Sequence, residues 1–325
     1  MPEPAYISAN GPAAIGVAVQ GSSNSIAAGG NITSDSVSPY QGPEDKRWFE
    51  IFAMQNMTSD YTITSNSSFI KLSRTSGTIK APSTNLNDTD HRIYIDVDWS
   101  AAPSGTTKAV LTISGSKFPR TKVTVPVSKP SVPDTFTGHV ESNGAVAIEA
   151  EHYQRSKDAT NPAATWQLIP HYGRTLSGMH TLPLNGASQS DGSAPYLEYD
   201  FYTLSSAKSA NVTVYIGPTM NVDQTRPIKY TISVDGGAAK TGSPVPDYVL
   251  GPPSSNWKNA IEGAWSTKTT VGDLAAGKHT IRISVLEPNL VLERVAIDVG
   301  GLKASYLGPP ESAYVKNGKV ATFGS

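Results

Sequence analysis

Two glutamates stand one residue apart in "VAIEAEHY", Val146 to Tyr153. Successive side chains of a strand point to opposite faces, so on a strand Glu149 and Glu151 share one face. A catalytic pair in a glycosidase must flank a sugar bond, about 5 to 10 Å apart, and approach it from two sides. Neighbours on one strand point the same way, which argues against catalysis. Two readings remain open. Calcium takes six to eight oxygens, and two parallel carboxylates are a good seed for such a site. Alternatively the pair is neutralised by a nearby arginine, Arg155 or Arg294.

Other reactive types are sparse. The chain has no cysteine, hence no thiolate, no disulfide and no Cys-ligated metal. His152, His171, His180 and His279 are scattered, and none makes an i, i+4 pair on a helix, so the spacing points to no zinc site. "GGLK" and "GPTM" lack the spacing of a phosphate loop, and no Gly-x-Ser-x-Gly elbow occurs. Exposed aromatic rings offer a different chemistry, because sugars lay their C–H faces on Trp and Tyr. Trp257, in the loop "GPPSSNWKNAIEGAW", is the first candidate; Trp265, Tyr172 in "PHYGR" and Tyr306 in "SYLGPP" follow. Trp166, Trp48 and Trp99 read as sandwich core.

These residues need a scaffold. The 325 residues suggest two domains, with 38% hydrophobic residues for packed cores and 16% charged. A formal net charge of −1, with no block of one sign, argues against a nucleic-acid or anionic-membrane surface. No run of 18 apolar residues exists to span a bilayer as a helix. The opening "MPEPAYISANGPAAIGVAVQG" lacks a cationic then apolar leader, so the chain reads as cytosolic or as a fragment beginning at Met1. Sequons at Asn31, Asn56, Asn66, Asn87 and Asn211 exceed the roughly three expected by chance, a pointer to secretion.

Short alternating runs bounded by turn residues predict an all-β protein. Seven lie in residues 1–128: "AIGVAVQG", "RWFEIFAM", "DYTITS", "FIKLS", "HRIYIDVDW", "KAVLTISG" and "TKVTVPV". They predict an immunoglobulin-like β-sandwich. Residues 129–138 read as a proline-stiffened linker. Nine further runs, from "AVAIEAEHY" to "VLERVAIDVGG", predict a second β-sandwich of jelly-roll kind over 139–314. Residues 315–325 read as a tail, and its "FGS" as a vector scar. "SYLGPPES" holds a double proline that fixes an extended segment; it reads as an interdomain or intersubunit clamp, with the edge of a sugar site as the lesser alternative.

The second half resembles the C-terminal domain of glycoside hydrolase family 115, the xylan α-1,2-glucuronidases. The resemblance rests on "VAIEAEHYQR", "TWQLIPHYGRTLSGMHTLP", "PYLEYDFY", "IKYTISVDGG" and "ERVAIDVGGLKASYLGPPES". The first half is similar to the BACON modules of bacterial carbohydrate-active proteins, through "FIKLSRTSGTI", "HRIYIDVDW" and "KAVLTISG". The resemblance implies a secreted, extracellular accessory region with no catalytic residue of its own. Its partners would be xylan or glucuronoxylan and the catalytic barrel of a parent enzyme, with a homodimer as a further option. The other readings are a purely structural module with no glycan affinity and a free-standing glycosidase. An acidic substrate gives Arg174 and Arg226 a role, since Arg pairs bidentately with carboxylates; surface or interdomain salt bridges are the alternative. The start of this half is also similar to family 6 and family 35 carbohydrate-binding modules, in which an early Glu-x-Glu binds structural calcium. That resemblance implies a third acid from the last strand, Glu293 or Asp298, whereas those modules more usually place an Asp near that strand's start.

Overall fold

A computed structural model describes residues 10–42, 45–82, 88–221, 223, 225–245 and 265–324. All regular structure among them is β; no helix occurs, and so none is long and apolar enough to cross a membrane. The chain divides into two compact units, Met1–Gln41 with Asp45–Ser131, and Gly42–Glu44 with Val132–Ser325.

The first unit holds β1 (Asn10–Val19), β2 (Ser25–Ala27), β3 (Asn31–Thr33), β4 (Trp48–Gln55), β5 (Ser59–Ser65), β6 (Ile70–Leu72), β7 (Ser76–Ile79), β8 (Asp90–Val97), β9 (Gly105–Gly115) and β10 (Phe118–Lys129). They form two five-stranded sheets, ordered β2-β1-β4-β8-β6 and β3-β10-β9-β5-β7. Alternation decides which face turns inward. Phe49, Ile51 and Ala53 of β4 and Ile93, Ile95 and Val97 of β8 are buried, as are Leu111, Ile113, Val123 and Val125 from the other sheet. All seven expected strands are present, and three short edge strands, β2, β3 and β7, join them. Trp48 is half-buried with the Arg92 guanidinium 4.1 Å from its ring centroid, and Trp99 packs against the core edge.

The second unit holds β11 (Gly138–Val140), β12 (Ala145–Glu149), β13 (Arg155–Lys157), β14 (Ala159–Thr160), β15 (Ala163–Ile169), β16 (Gly178–Leu182), β17 (Tyr196–Thr203), β18 (Ala207–Ile216), β19 (Tyr230–Val234), β20 (Lys240–Gly242), β21 (Ser266–Leu274), β22 (Gly277–Val285), β23 (Leu292–Asp298), β24 (Tyr314–Lys316) and β25 (Lys319–Ala321). One sheet runs β20-β19-β22-β17-β11-β24-β25, with β13 on β17; the other runs β14-β15-β16-β23-β18-β21, with β12 on β23. The core lies between them, built from Val146, Ile148, Leu197, Tyr199, Phe201, Val212, Val214, Ile281, Ile283, Val295 and Ile297.

One expectation needs correction here. The last residues are not a loose tail: β24 pairs with β11 and folds back on β25. "SYLGPPES" straps its own sandwich. Ser312 N–H donates to the Ala147 carbonyl (2.9 Å), Ala147 N–H to Ser312 Oγ (3.0 Å), and Glu149 N–H to Glu311 Oε1 (2.9 Å). The strap thereby satisfies the edge of β12 that β23 leaves unpaired, which a buried strand requires.

Candidate functional site

Strand register places side chains in rows across the second sheet. Glu149 of β12 stands opposite Arg294 of β23, Arg294 opposite Tyr215 of β18, and Tyr215 opposite Ser266 of β21. Two residues along, Ala296, Thr213 and Lys268 form the next row. Cross-strand neighbours share a face. Val146, Ile148, Val212, Val214, Val295 and Ile297 point into the core, so these rows form the sheet's outer face.

That face carries two buried ion pairs. Arg294 pairs with Glu149 and also donates to Thr175 Oγ1 (2.8 Å) and to the carbonyls of Leu307 (2.9 Å) and Pro309 (2.5 Å). Thr175 Oγ1 donates to Glu149 at 2.7 Å. Beside this pair, Arg174 Nε lies 3.1 Å from Glu293 Oε2, an ion contact without linear hydrogen-bond geometry. Arg174 also donates to the carbonyls of Tyr306 (3.1 Å), Ile216 (3.4 Å) and Trp265 (2.9 Å). Burial pushes the Glu293 carboxyl above its ordinary range; Arg174 opposes the shift and the Glu149 charge adds to it.

This arrangement decides the calcium expectation against the donor set. β12 stops at Glu149, and Glu151 lies in the following turn, closed by His152 N–H donating to the Glu149 carbonyl (3.0 Å). The two acids therefore do not share a strand face. Glu149 and Glu293 each face a guanidinium, while Asp298 Oδ1 accepts from the N–H groups of Gly300 (2.9 Å) and Leu302 (3.2 Å). Guanidiniums occupy Glu149 and Glu293, backbone N–H groups occupy Asp298, and Glu151 lies on the turn, so these acids do not converge as a calcium donor set. Of the two arginines expected to neutralise Glu149, it is Arg294 that does so. Arg155 instead grips Asp200 with two bonds of 2.8 Å and Glu198 with one of 2.6 Å.

Above the same face opens a cleft of about 390 Å³. Thr213, Tyr215, Ser266 and Lys268 form its floor, Arg174 and Asp298 its sides, and the loop from Leu302 to Tyr306 its rim. Tyr306 is 59% exposed. The Arg174 guanidinium lies 5.5 Å from the ring centroids of both Tyr306 and Tyr215. Lys268 and Lys303 also line the cleft and are exposed, so positive charge outweighs the one carboxylate of Asp298. An aromatic ring beside cations suits an anionic sugar.

The remaining expected binding residues scatter. Trp257 and Asn87 lie outside the described residues. Trp265 is only 4% exposed, and its indole N–H donates to the Thr219 carbonyl (2.9 Å), so it is core and offers no open ring. Tyr172 is 39% exposed, and its ring covers Gly178 and Gly217; a Cβ at Gly217 would meet it at 2.5 Å. Arg226 is committed to Glu287 (3.1 Å), the Gly186 carbonyl (2.7 Å) and Ser188 (3.0 Å). Trp166 packs half-buried against the core. Among the sequons, Asn31 and Asn56 are exposed. Asn66 is exposed too, with its side-chain oxygen accepting from Val110 N–H (2.8 Å), and Asn211 is half-buried within β18.

Sequence reasoning missed one cluster. His139 of β11, His152 and Glu311 of the strap converge, with candidate ligand atoms all within 4.8 Å of one another. Only the fold brings together residues 139, 152 and 311; no spacing signals them.

Residues 138–311, more than half of the chain, match the family model described as the glycosyl hydrolase family 115 C-terminal domain. No curated protein matches. Among solved structures, the chain is similar to a family GH115 4-O-methyl-α-glucuronidase, BtGH115A, with specificity for decorated arabinogalactans. The identity is 15% over 48% of this chain and 18% of that one, with a TM-score of 0.35. It is also similar to the C-terminal family 6 carbohydrate-binding module of LamC, a laminarinase from Zobellia galactanivorans (13% identity, 47% and 98% of the two chains, TM-score 0.31). A third is a family 6 module from Clostridium stercorarium in complex with cellobiose (15% identity, 47% and 92%, TM-score 0.29).

Proposed function

The chain belongs to the glycosyl hydrolase family 115 C-terminal domain family, and from that premise we propose that its second unit is a non-catalytic, polysaccharide-binding accessory module of a secreted α-glucuronidase. The ligand in this reading is glucuronoxylan, held in the cleft rimmed by Tyr306. The observation that carries it is the meeting of a 59% exposed tyrosine ring with Arg174, Lys268 and Lys303 around one cleft. The ring offers a face for a sugar, and the two lysines offer charge to a uronate. Arg174 serves as a positioning residue, since its charge is paired with Glu293 and its terminal N–H groups donate to three carbonyls.

Catalysis is assigned to another part of the enzyme. The acids on this face are tied to arginines or to backbone N–H groups, and none is posed opposite another across an open cleft. Affinity electrophoresis tests the reading. The protein should be retarded by glucuronoxylan and less by xylan stripped of its uronate branches. Tyr306→Ala should weaken binding about 2- to 13-fold, the value of a stacked ring at about 0.5–1.5 kcal/mol. Equal mobility in gels with and without glucuronoxylan would leave a structural or dimerising module and overturn the proposal.

A further inference from the structure

We propose that His139, His152 and Glu311 form a binding site for a transition-metal ion of the zinc type, which staples the 305–312 strap to the start of the sandwich. The three residues come from segments far apart in the chain: β11, the turn after β12, and the strap. Their candidate ligand atoms lie within 4.8 Å of one another. His152 Nδ1 is 2.7 Å and His139 Nε2 3.4 Å from Glu311 Oε1.

His139 carries the argument furthest. It is wholly buried, and neither of its ring nitrogens makes a hydrogen bond of good geometry. A polar group buried without a partner is costly, and native interiors rarely tolerate one without a reason. A metal at Nε2 supplies that reason.

The surroundings suit such a site. Glu149 N–H donates to Glu311 Oε1 at 2.9 Å and fixes the carboxylate, as supporting hydrogen bonds do for metal carboxylates. The Phe323 ring stacks on His152 at 4.4 Å between centroids, and Tyr314 lies 5.4 Å from His139, giving an apolar wall. His152 and Glu311 keep 21% and 24% of their side chains exposed, which leaves a way in. Two imidazoles and one carboxylate select zinc-like ions; calcium and magnesium demand oxygen donors.

Isothermal titration of the full chain, cleared with chelator, tests this with zinc chloride alone. One equivalent should bind, raise the thermal midpoint and bind less tightly as pH falls and protons compete. Calcium chloride should give no heat. His152→Ala and Glu311→Gln, each checked for folding by circular dichroism, should weaken zinc binding by more than about 10-fold. Because either variant can disturb the strap, cobalt(II) added to the unaltered protein gives a second readout, and visible d–d bands of a nitrogen-ligated ion are expected. No zinc uptake by the unaltered protein would overturn the site. So would uptake undiminished in both variants, which would place the ion on other histidines. Cobalt spectra matching the aqueous ion would do the same.

Discussion

Replacing Arg294 with methionine isolates what holds the outer face together. The substitution keeps much of the side chain's volume and deletes its charge and its N–H donors. Glu149, 4% exposed, then keeps a buried carboxylate whose one remaining side-chain partner is Thr175. The carbonyls of Leu307 and Pro309 lose their guanidinium donor. Removing one member of a buried pair typically costs about 3–5 kcal/mol. For a unit of this size each kcal/mol moves the midpoint by roughly 2–4 °C, so a fall of about 6–20 °C is expected. Differential scanning calorimetry reads this on the transition of the second unit. The double variant Glu149→Leu/Arg294→Met supplies the control. It removes both charges, so the desolvated carboxylate is gone and only the strap carbonyls stay unserved, at about 1–3 kcal/mol each if water does not reach them. It should recover a large part of the loss. A midpoint within about 2 °C of the parent for Arg294→Met would refute the reasoning. So would a double variant less stable than the single one, which would mean that Glu149 is not the group left stranded.

The other predictions concern the strap and the cleft. Burial alone would raise the Glu311 carboxyl, but the facing imidazoles of His139 and His152 outweigh that and bring it down to about 2, against an ordinary 4.5. Its contribution, roughly 3 kcal/mol at most, is therefore present above pH 4.5 and lost as pH falls toward 2; Glu311→Gln should be less stable at neutral pH and flatten that acid limb in urea titrations. Burial depresses His152, yet Glu311 raises it overall, so its share is full below the ordinary 6.5 and lost as pH climbs through the raised value. Arg174→Lys keeps the charge but loses the fork that holds the Tyr306, Ile216 and Trp265 carbonyls, and should weaken the proposed glucuronoxylan binding in the way expected of Tyr306→Ala. Titration calorimetry of the double variant should show losses well short of additive, because both act through one ring; full additivity would mean that Arg174 meets the ligand itself.

Much of the scaffold was legible because alternation is a local signal. "HRIYIDVDW" announces its buried Ile93, Ile95 and Val97, and "KHTIRISVLE" its buried Ile281, Ile283 and Val285. The short strands β11, β13, β14, β24 and β25 were not legible. Each spans two or three residues, too short for a period, and is held in place by a longer neighbour or a distant edge. Of the site, Tyr306 and Arg174 could be singled out by residue type and loop context. What Arg174 does with its donors could not, because its partners lie 42, 91 and 132 residues away.

The reading of Glu149 and Glu151 shows where local geometry ends. The i, i+2 rule is sound on a strand, but it assumes the strand continues, and β12 stops at Glu149. What stops it is the turn at Ala150–Glu151, which delivers His152 to Glu311. One turn thus separates two acids that the sequence pairs and joins a histidine to an acid that the sequence keeps 159 residues apart. Glu149 is left buried, and opposite it on β23 stands Arg294, whose fork reaches both the carboxylate and the strap carbonyls. A metal ion could neutralise the carboxylate but could not donate hydrogen bonds to those carbonyls. With guanidiniums, the outer face gains charge balance and a fixed strap at once, and the strap's leading residues form the rim that holds Tyr306 over the cleft. The proposed binding surface and the fold's stability therefore share the same two arginines. A variant that loosens Arg294 should lower glycan affinity and the thermal midpoint together.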